Sequence, residues 1–522
     1  MKNRLFKILI GLMTVALFAA ACAPALTPAP ATAVPPTAVP PTAVPATEAP
    51  TAVPAPTEAP IAFDKTAAEE EGYWYSRYNM GSLAMISGLG DTFMPDMSMI
   101  EAMVKMADAN PDDGDVPMPP MNASLLTSVY TSGDPHYTQA IDMADFGTQR
   151  WDPATFDKTV TPRTQAWLII KELEWAKQFH VDAHFGKTSD NFGAQWRFVG
   201  LVVTAEAKMQ LQYALQMLKN DKGLYGSTDG TLDNAGQWVM LEALSDAGGT
   251  FSAATLPGSD SNRYADPDSA GMFLGAADML FGALADRVPA DIEETSLAIQ
   301  SLTWYAANTQ NADNKAAAIA KISEFGKLLA DAKPANATEN AFAVRGLIEA
   351  YRVSGDSAYL SAAASAFDAL YADFNFTDGV FNSQNVYSID NVAVLMGAIN
   401  SVVYYAGDAV DQQHANDLFT AVYLNLVNKS GLQQSVLPVN AGKDKFEQEE
   451  PAIFYGYPTI PMPPMAGGDF GVAPVFASEV TFSNGAWTVT NPRFDSAGAM
   501  HASNEFIWFH NDEVNGFPEV TK

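Results

Sequence analysis

The chain has 522 residues, and its 29 lysines and arginines face 60 aspartates and glutamates, for a formal net charge of −31. This charge argues against nucleic acid as a partner, because nucleic acids bind basic protein faces. A single cysteine excludes an internal disulfide and a cysteine-based zinc site, while 48% hydrophobic residues are enough for a large core.

The first 22 residues have the parts of a bacterial export signal. Three basic residues precede an apolar run from Ile8 to Ala21, which is short for a membrane-spanning helix. The small residues directly before Cys22 resemble a lipobox, although Ala19 stands where leucine is commonest. We expect a lipoprotein signal over 1–22 and lipidation of Cys22, which would anchor the protein to a lipid bilayer outside the cytoplasm. The alternative is an ordinary signal peptide with a chance cysteine.

Residues 23–61 read as a disordered tether rich in proline, alanine and threonine. The motif Thr-Ala-Val-Pro recurs with a period of five residues from Thr32. Proline blocks helices and sheet ladders and favours an extended chain, so this segment is predicted to hold the folded part away from the membrane. A peptide-ligand role for the proline tract is the alternative.

Residues 62–162 form a methionine-rich segment. Nine of the 21 methionines lie between Met80 and Met121, and the string Pro-Met-Pro-Pro-Met at 117–121 returns at 461–465. Thioethers select Cu(I), so one hypothesis is an extracytoplasmic copper-handling or assembly protein. The alternative is an apolar core stripe, because three of these residues share one helix face at i, i+4 and i+7: Met99, Met103 and Met106.

From 163 to 430 the apolar spacing predicts two alternating kinds of helix. One kind is apolar on all sides and starts near 163, 233, 291, 338 and 388. The return helices are amphipathic and cover 194–220, 268–287, 313–331, 356–373 and 411–428. Hairpins that pair a buried helix with a half-exposed one predict a closed ring or a solenoid.

Two segments of this region carry a family resemblance. The stretch from Glu339 to Tyr351, followed by Gly-Asp-Ser-Ala-Tyr-Leu at 355–360, resembles a hairpin of the (α/α)6 toroids of six-hairpin glycosidases, and Gly-Val-Phe at 379–381 resembles the loop that follows. The resemblance implies a mainly α protein whose loops at the inner-helix starts form a cup for sugars. Five hairpins are evident, and a sixth has to come from the methionine-rich segment or from 494–510.

Acidic residues stand at the predicted inner-helix starts and are the candidate catalytic groups: Asp233, Glu294, Glu339 and Asp390. Glycoside hydrolysis needs a carboxylic acid and a carboxylate, so a glycoside hydrolase-like enzyme is one interpretation and a non-catalytic binding scaffold is another. The candidate substrate-binding residues are Asn234, Asn391, Trp238 and Trp304, the two tryptophans for stacking on sugars. The alternative is a structural role, in which the acids cap helices and the tryptophans fill the core.

The motif His180-Val-Asp182-Ala-His184 is a candidate metal site, because two imidazoles and a carboxylate suit a divalent transition metal. The alternative is a helix end, where histidine bonds to the last carbonyl groups. His501, near the C-terminus, is a further functional candidate. The chain has no P-loop, dinucleotide glycine pattern or haem motif, so a cofactor is not identified from the sequence, and the protein could function without one.

The last predicted region, 431–522, is irregular apart from one β-hairpin. Residues 479–490 alternate about Asn484-Gly485, which is a strong hairpin turn signal. We therefore expect a mainly α toroid over 163–430 with a small C-terminal β-hairpin region.

Overall fold

The computed structural model describes residues 63–108, 117, 119–142, 144–180, 183–184, 187–188, 193–436 and 460–506. The predicted export signal with Cys22, the tether and Asp182 lie outside these residues. In the part of the chain that is described, no helix is both long enough and apolar enough to cross a membrane.

Thirteen α-helices are described, in chain order: α1 Lys65–Gly81, α2 Met97–Ala107, α3 Pro162–His180, α4 Gly193–Tyr213, α5 Asn234–Ser252, α6 Pro267–Leu284, α7 Ile292–Asn308, α8 Ala312–Ala330, α9 Ala337–Ser354, α10 Ser357–Asp373, α11 Ile389–Tyr405, α12 Gln412–Val422 and α13 Ser496–Glu505. The strands are short: β1 Gly90–Phe93, β2 Leu125–Val129, β3 Ser132–Gly133, β4 Ala183–His184, β5 Lys187–Thr188, β6 Phe374–Asn375, β7 Val380–Phe381, β8 Val386–Ser388, β9 Glu479–Ser483, β10 Ala486–Asn491 and β11 Phe494–Asp495.

Six inner helices pack side by side in a closed ring. Each of α3, α5, α7, α9 and α11 contacts the next, α11 contacts α13, and α13 contacts α3. The outer helices α4, α6, α8, α10 and α12 pack against the inner helices that precede them, and α1 packs against α13. The predicted (α/α) toroid is thus confirmed. Its sixth pair combines α1 and α13, which come from opposite ends of the described chain.

The inner helices begin at one face of the ring, and capping side chains specify where. Asp291 Oδ1 accepts a hydrogen bond from the backbone N–H of Glu294 at 2.8 Å, and Asn336 Oδ1 accepts one from the backbone N–H of Glu339 at 2.9 Å. Such caps satisfy N–H groups that have no partner within the helix. We call the face at which the inner helices begin the mouth.

The axis of the ring is filled by buried ion pairs. Arg345 Nε lies 3.2 Å from Glu505 Oε2, and its Nη1 lies 3.7 Å from Glu349 Oε2. A β-carbon on Gly397 would come within 1.9 Å of Glu505 Oε2, so only glycine leaves room for that carboxylate. The ring is therefore a packed core and not an open pore.

Short strands hold the mouth ends of two inner helices. The hairpin β9–β10 turns at Asn484 and Gly485, both with positive φ, as predicted, and β9 also pairs with β8, directly before α11. Strand β11, directly before α13, pairs with β3. These pairings fix where α11 and α13 begin.

The predicted methionine core stripe on α2 is wrong for two of its members. Met99 and Met106 are exposed, whereas Met103 faces a cavity on the outer wall of the ring. Helix α2 packs on α4, and its less exposed side chains follow a different helical stripe, which shares only Met103 with the predicted one: Ile100, Met103, Val104 and Ala107.

Candidate functional site

Charged side chains from the starts of several inner helices meet at the mouth. Arg163, the second residue of α3, places Nε 2.8 Å from Asp233 Oδ2 and Nη1 2.8 Å from Glu293 Oε1. One guanidinium group thereby joins the starts of α3, α5 and α7 through charge-assisted hydrogen bonds.

A second arrangement at the same face joins α11, α13 and α3. His501 Nδ1 lies 2.7 Å from Asp390 Oδ1, and the imidazole stacks on the Trp167 ring with centroids 4.4 Å apart. The His501 side chain is 3% exposed and that of Asp390 is 26% exposed. His501 is thus buried and positions the carboxylate of Asp390, which faces the mouth.

These residues and one further carboxyl group form a single electrostatic unit. We call it the mouth cluster: Arg163, Asp233, Glu293, Asp390, Asp495 and His501. Asp495 caps α13, since its Oδ1 accepts the backbone N–H groups of Ala497 and Gly498 at 3.1 and 3.4 Å. Asp390 and Asp495 therefore stand at the starts of adjacent inner helices.

The two adjacent carboxyl groups are displaced in opposite directions. Burial acts to raise the pKa of Asp390, but the charge and hydrogen bond of His501 and the charge of Arg163 outweigh it and lower that pKa. Burial, and then the negative charge of Asp390, raise the pKa of Asp495 to about 6. A carboxylate beside a carboxylic acid is the pairing that general acid–base catalysis uses.

Two of the four predicted catalytic acids, Asp233 and Asp390, belong to the mouth cluster. Glu294 does not, since it is buried and accepts hydrogen bonds from Trp238 Nε1 at 3.2 Å and Arg287 Nε at 3.0 Å. The preceding residue, Glu293, reaches the mouth instead.

Glu339 is the other acid that lies outside the cluster. Its Oε2 accepts the backbone N–H of Ala335 at 2.8 Å, while Asn336 accepts the N–H of Glu339. This reciprocal pair is a capping box, so the carboxylate is used to hold the start of α9.

The predicted sugar-stacking tryptophans do not lie at the mouth. Trp238 is fully buried and packs edge-on against Phe325, 6.0 Å away on outer helix α8. Trp304 lies twelve residues into α7, about 18 Å along the helix, beneath the ammonium of Lys177. Trp238 thus fills the core, as the alternative expects, whereas Trp304 is half-buried and lies away from the mouth.

The two asparagines named with them do lie at inner-helix starts. Asn234 is exposed at the first turn of α5. Asn391 is half-buried, and its backbone N–H donates to Ser388 Oγ at 3.1 Å. Their role in substrate binding stays a prediction.

His180 has hydrogen-bond partners at both ring nitrogens. Nδ1 accepts from Arg263 Nε at 2.9 Å, so Nε2 carries the hydrogen and donates to the Ser261 carbonyl at 2.9 Å. Burial, and then the charge of Arg263, lower the pKa of this histidine. Among the described residues no three histidine, cysteine, aspartate or glutamate side chains form a metal-binding group. Asp182 and the His184 side chain lie outside the description, and the metal site stays a prediction without support from His180.

Three members of the cluster are not among the site residues predicted from the sequence: Arg163, Glu293 and Asp495. The sequence does contain a signal for Arg163. A cation near a helix N-terminus lies next to the positive end of the helix dipole, which is unfavourable unless carboxylates compensate its charge. Arg163 stands at a predicted helix start, so its position predicts acidic residues nearby.

The sequence matches no family model and no curated protein. The structure is similar to a D-mannose isomerase, with a TM-score of 0.44 and 10% identity over 80% of this chain and 99% of that one. It is also similar to cellobiose 2-epimerase from Bacillus thermoamylovorans, with a TM-score of 0.44 and 8% identity over 78% of this chain and 99% of that one. An unsaturated glucuronyl hydrolase specific for heparin matches with a TM-score of 0.37 and 10% identity, over 86% and 99% of the two chains.

Proposed function

We propose that the mouth cluster binds a carbohydrate and hydrolyses a glycosidic bond, with Asp495 as the acid and Asp390 as the base. The observation that carries this proposal is the pair of adjacent carboxyl groups whose pKa values are displaced in opposite directions at the mouth of the toroid. Protonated Asp495 gives its proton to the leaving oxygen as the bond to the anomeric carbon breaks. Asp390 accepts the proton of the water molecule that attacks that carbon.

The remaining cluster residues supply binding and positioning. The Arg163 guanidinium and the carboxylates of Asp233 and Glu293 are partly exposed, with 23%, 32% and 38% of their side-chain surfaces accessible. They offer donors and acceptors of the kind that sugar hydroxyl groups pair with. His501 acts through Asp390, whose orientation and charge it maintains.

The test is a panel of neutral, amino and acidic oligosaccharides, assayed for binding and for release of reducing ends. Asp390→Asn and Asp495→Asn should each lower turnover about 100-fold or more while leaving binding within a few fold. Asp356→Asn is the matched control, because Asp356 caps outer helix α10 and asparagine caps equally well. Binding without cleavage by the wild type would favour the scaffold alternative, and no binding across the panel would reject the carbohydrate proposal.

The same pair sets the expected pH dependence. Asp495 must be protonated and Asp390 ionised, so turnover should be greatest below pH 6 and decline as pH rises through the Asp495 pKa of about 6. Turnover should also fall at low pH, once Asp390 gains a proton. A rate that instead rises from pH 6 to pH 8 would exclude Asp495 as the acid.

We also propose that the chain is exported and anchored by lipid on Cys22. The support is the position of the single cysteine directly after an apolar signal segment. Labelled fatty acid supplied to bacteria that express the full chain should be incorporated into the wild type, and Cys22→Ser should abolish it. A wild-type chain that takes up no label would reject the anchor and leave the carbohydrate proposal untouched.

A further inference from the structure

A cavity of about 620 Å³ lies on the outer wall of the ring, between outer helices α1 and α4 and beneath α2. None of the mouth-cluster residues is among the described residues that line it. Cavities of this volume accommodate small organic ligands. The cavity is therefore separate from the mouth and large enough for a molecule of its own.

The lining is predominantly apolar and rich in thioethers. Five methionines from α1, α2 and the segments between them contribute: Met80, Met85, Met94, Met97 and Met103. Methionine is unbranched and flexible, so a wall of thioethers adapts to apolar molecules of different shapes.

The cavity has a buried end and a solvent-facing end. Phe179 and Phe198 are almost wholly buried, whereas Met94 and Met97 are 53% and 66% exposed. Large apolar side chains that flank an opening in this way are typical of ligand-binding grooves. The buried guanidinium of Arg77 also lines the cavity, with its central carbon 5.6 Å from the centroid of the Phe179 ring. The lining thus offers one charged group beside its apolar surface.

We propose that this cavity binds a single acyl chain, which lies along the methionines and phenylalanines of the lining. The apolar lining disfavours sugars, whose hydroxyl groups would lose their hydrogen bonds to water. The flexible thioether walls suit a chain with many conformations better than a rigid ring system. A free fatty acid and a lysophospholipid share this chemistry, and the experiment distinguishes them.

Gly81 offers a way to fill the cavity without disturbing the fold. It is the last residue of α1, has helical backbone angles with φ −62°, and lines the cavity. A β-carbon at this position would have no heavy atom within 4 Å. In Gly81→Leu the new side chain should enter the cavity, and the helix should become slightly more stable, because leucine has the higher helix propensity.

The experiment measures binding of a dansyl-labelled fatty acid to the full chain by fluorescence, with palmitate and a lysophospholipid as competitors. Gly81→Leu should weaken probe binding at least tenfold. Gly275→Leu is the matched control, since Gly275 is an exposed glycine of helix α6 that likewise has no heavy atom within 4 Å of its β-carbon position. That variant should bind as the wild type does.

Each outcome decides the proposal. Competition by palmitate alone would identify a free fatty acid as the ligand, and competition by the lysophospholipid would identify a membrane lipid. Absence of probe binding to the wild type, equal binding by Gly81→Leu and the wild type, or displacement by oligosaccharides would overturn it. Because the mouth cluster takes no part, failure here leaves the carbohydrate proposal standing.

Discussion

The mouth cluster and a buried pair of glutamates on α3 and α4 show two different environments for a carboxyl group in this protein. Glu172 of α3 and Glu206 of α4 are fully buried and share Gln210, whose Nε2 lies 3.0 Å from Glu172 Oε1 and 3.3 Å from Glu206 Oε1. Burial raises the pKa of both groups well above the usual range, and the charge of Glu206 raises that of Glu172 further.

The difference between the two regions is the presence of a cation. Arg163 and His501 lower the pKa of Asp390 against the effect of burial, whereas the glutamate pair has only uncharged donors, Gln210 and the Leu126 N–H, and keeps a raised pKa. An ionised, partly exposed carboxylate is available for chemistry. A protonated, enclosed one contributes to structure, and it makes stability depend on pH.

Removing the cation from the mouth should have the largest effect. Arg163→Met leaves Asp233 and Glu293 without their guanidinium partner and should lower the free energy of unfolding by about 2 kcal/mol at pH 7, less than for a fully buried pair. Chemical denaturation at pH 7 and pH 3 measures it. The loss should shrink at pH 3, because burial raises the pKa of Glu293 above its ordinary value and this carboxyl group is then protonated. Lys208→Met, which breaks one partly exposed pair with Asp266, is the control and should lose less than about 1 kcal/mol. Equal losses in the free energy of unfolding for the two variants would mean that Arg163 contributes no more to stability than a single partly exposed ion pair does.

Neutralising the glutamate pair should have a smaller effect of opposite sign. A raised folded-state pKa lowers stability as pH rises from the ordinary carboxyl value towards the folded value. Glu172→Gln removes the contribution of Glu172 to this dependence while keeping an acceptor for Gln210, and should raise the free energy of unfolding at pH 9 by on the order of 1 kcal/mol. Thermal unfolding between pH 5 and pH 9 measures it. Glu324→Gln, on the exposed face of α8, should leave the profile unchanged, and a Glu172→Gln profile as steep as that of the wild type would contradict the assignment.

The smallest effect is expected where α11 and α13 touch. A β-carbon on Gly498 would lie 2.6 Å from Ile389 Cγ2 and 3.2 Å from Asp495 Oδ2. Gly498→Ala should therefore push the two helices apart, lower stability by up to about 1 kcal/mol, and bring the Asp495 pKa back towards its ordinary value. Carboxyl-selective NMR titration measures the pKa. Gly271→Ala, with no heavy atom within 4 Å, should instead be neutral or stabilising, and an unchanged Asp495 pKa in Gly498→Ala would show that Asp390 does not perturb it.

The sequence by itself determined the local features of this protein. The five central hairpins, the Asn484-Gly485 turn and the acidic helix starts were predictable, because apolar periodicity, turn residues and N-caps act within a few residues of one another. Asp233 and Asp390 could be predicted as site residues for the same reason, because both are acids at helix starts.

Only the tertiary structure decided which residues meet. The sixth hairpin joins α1 to α13 across more than 400 residues, a pairing that no local signal encodes. Glu293 and Glu294 are neighbours of the same type, and the helix turns about 100° between them, so the packing of α7 in the ring decides which one faces Arg163 and which one binds Trp238. The charge states at the mouth follow from that packing, because burial and the nearest cation, and not residue type, set each carboxyl pKa.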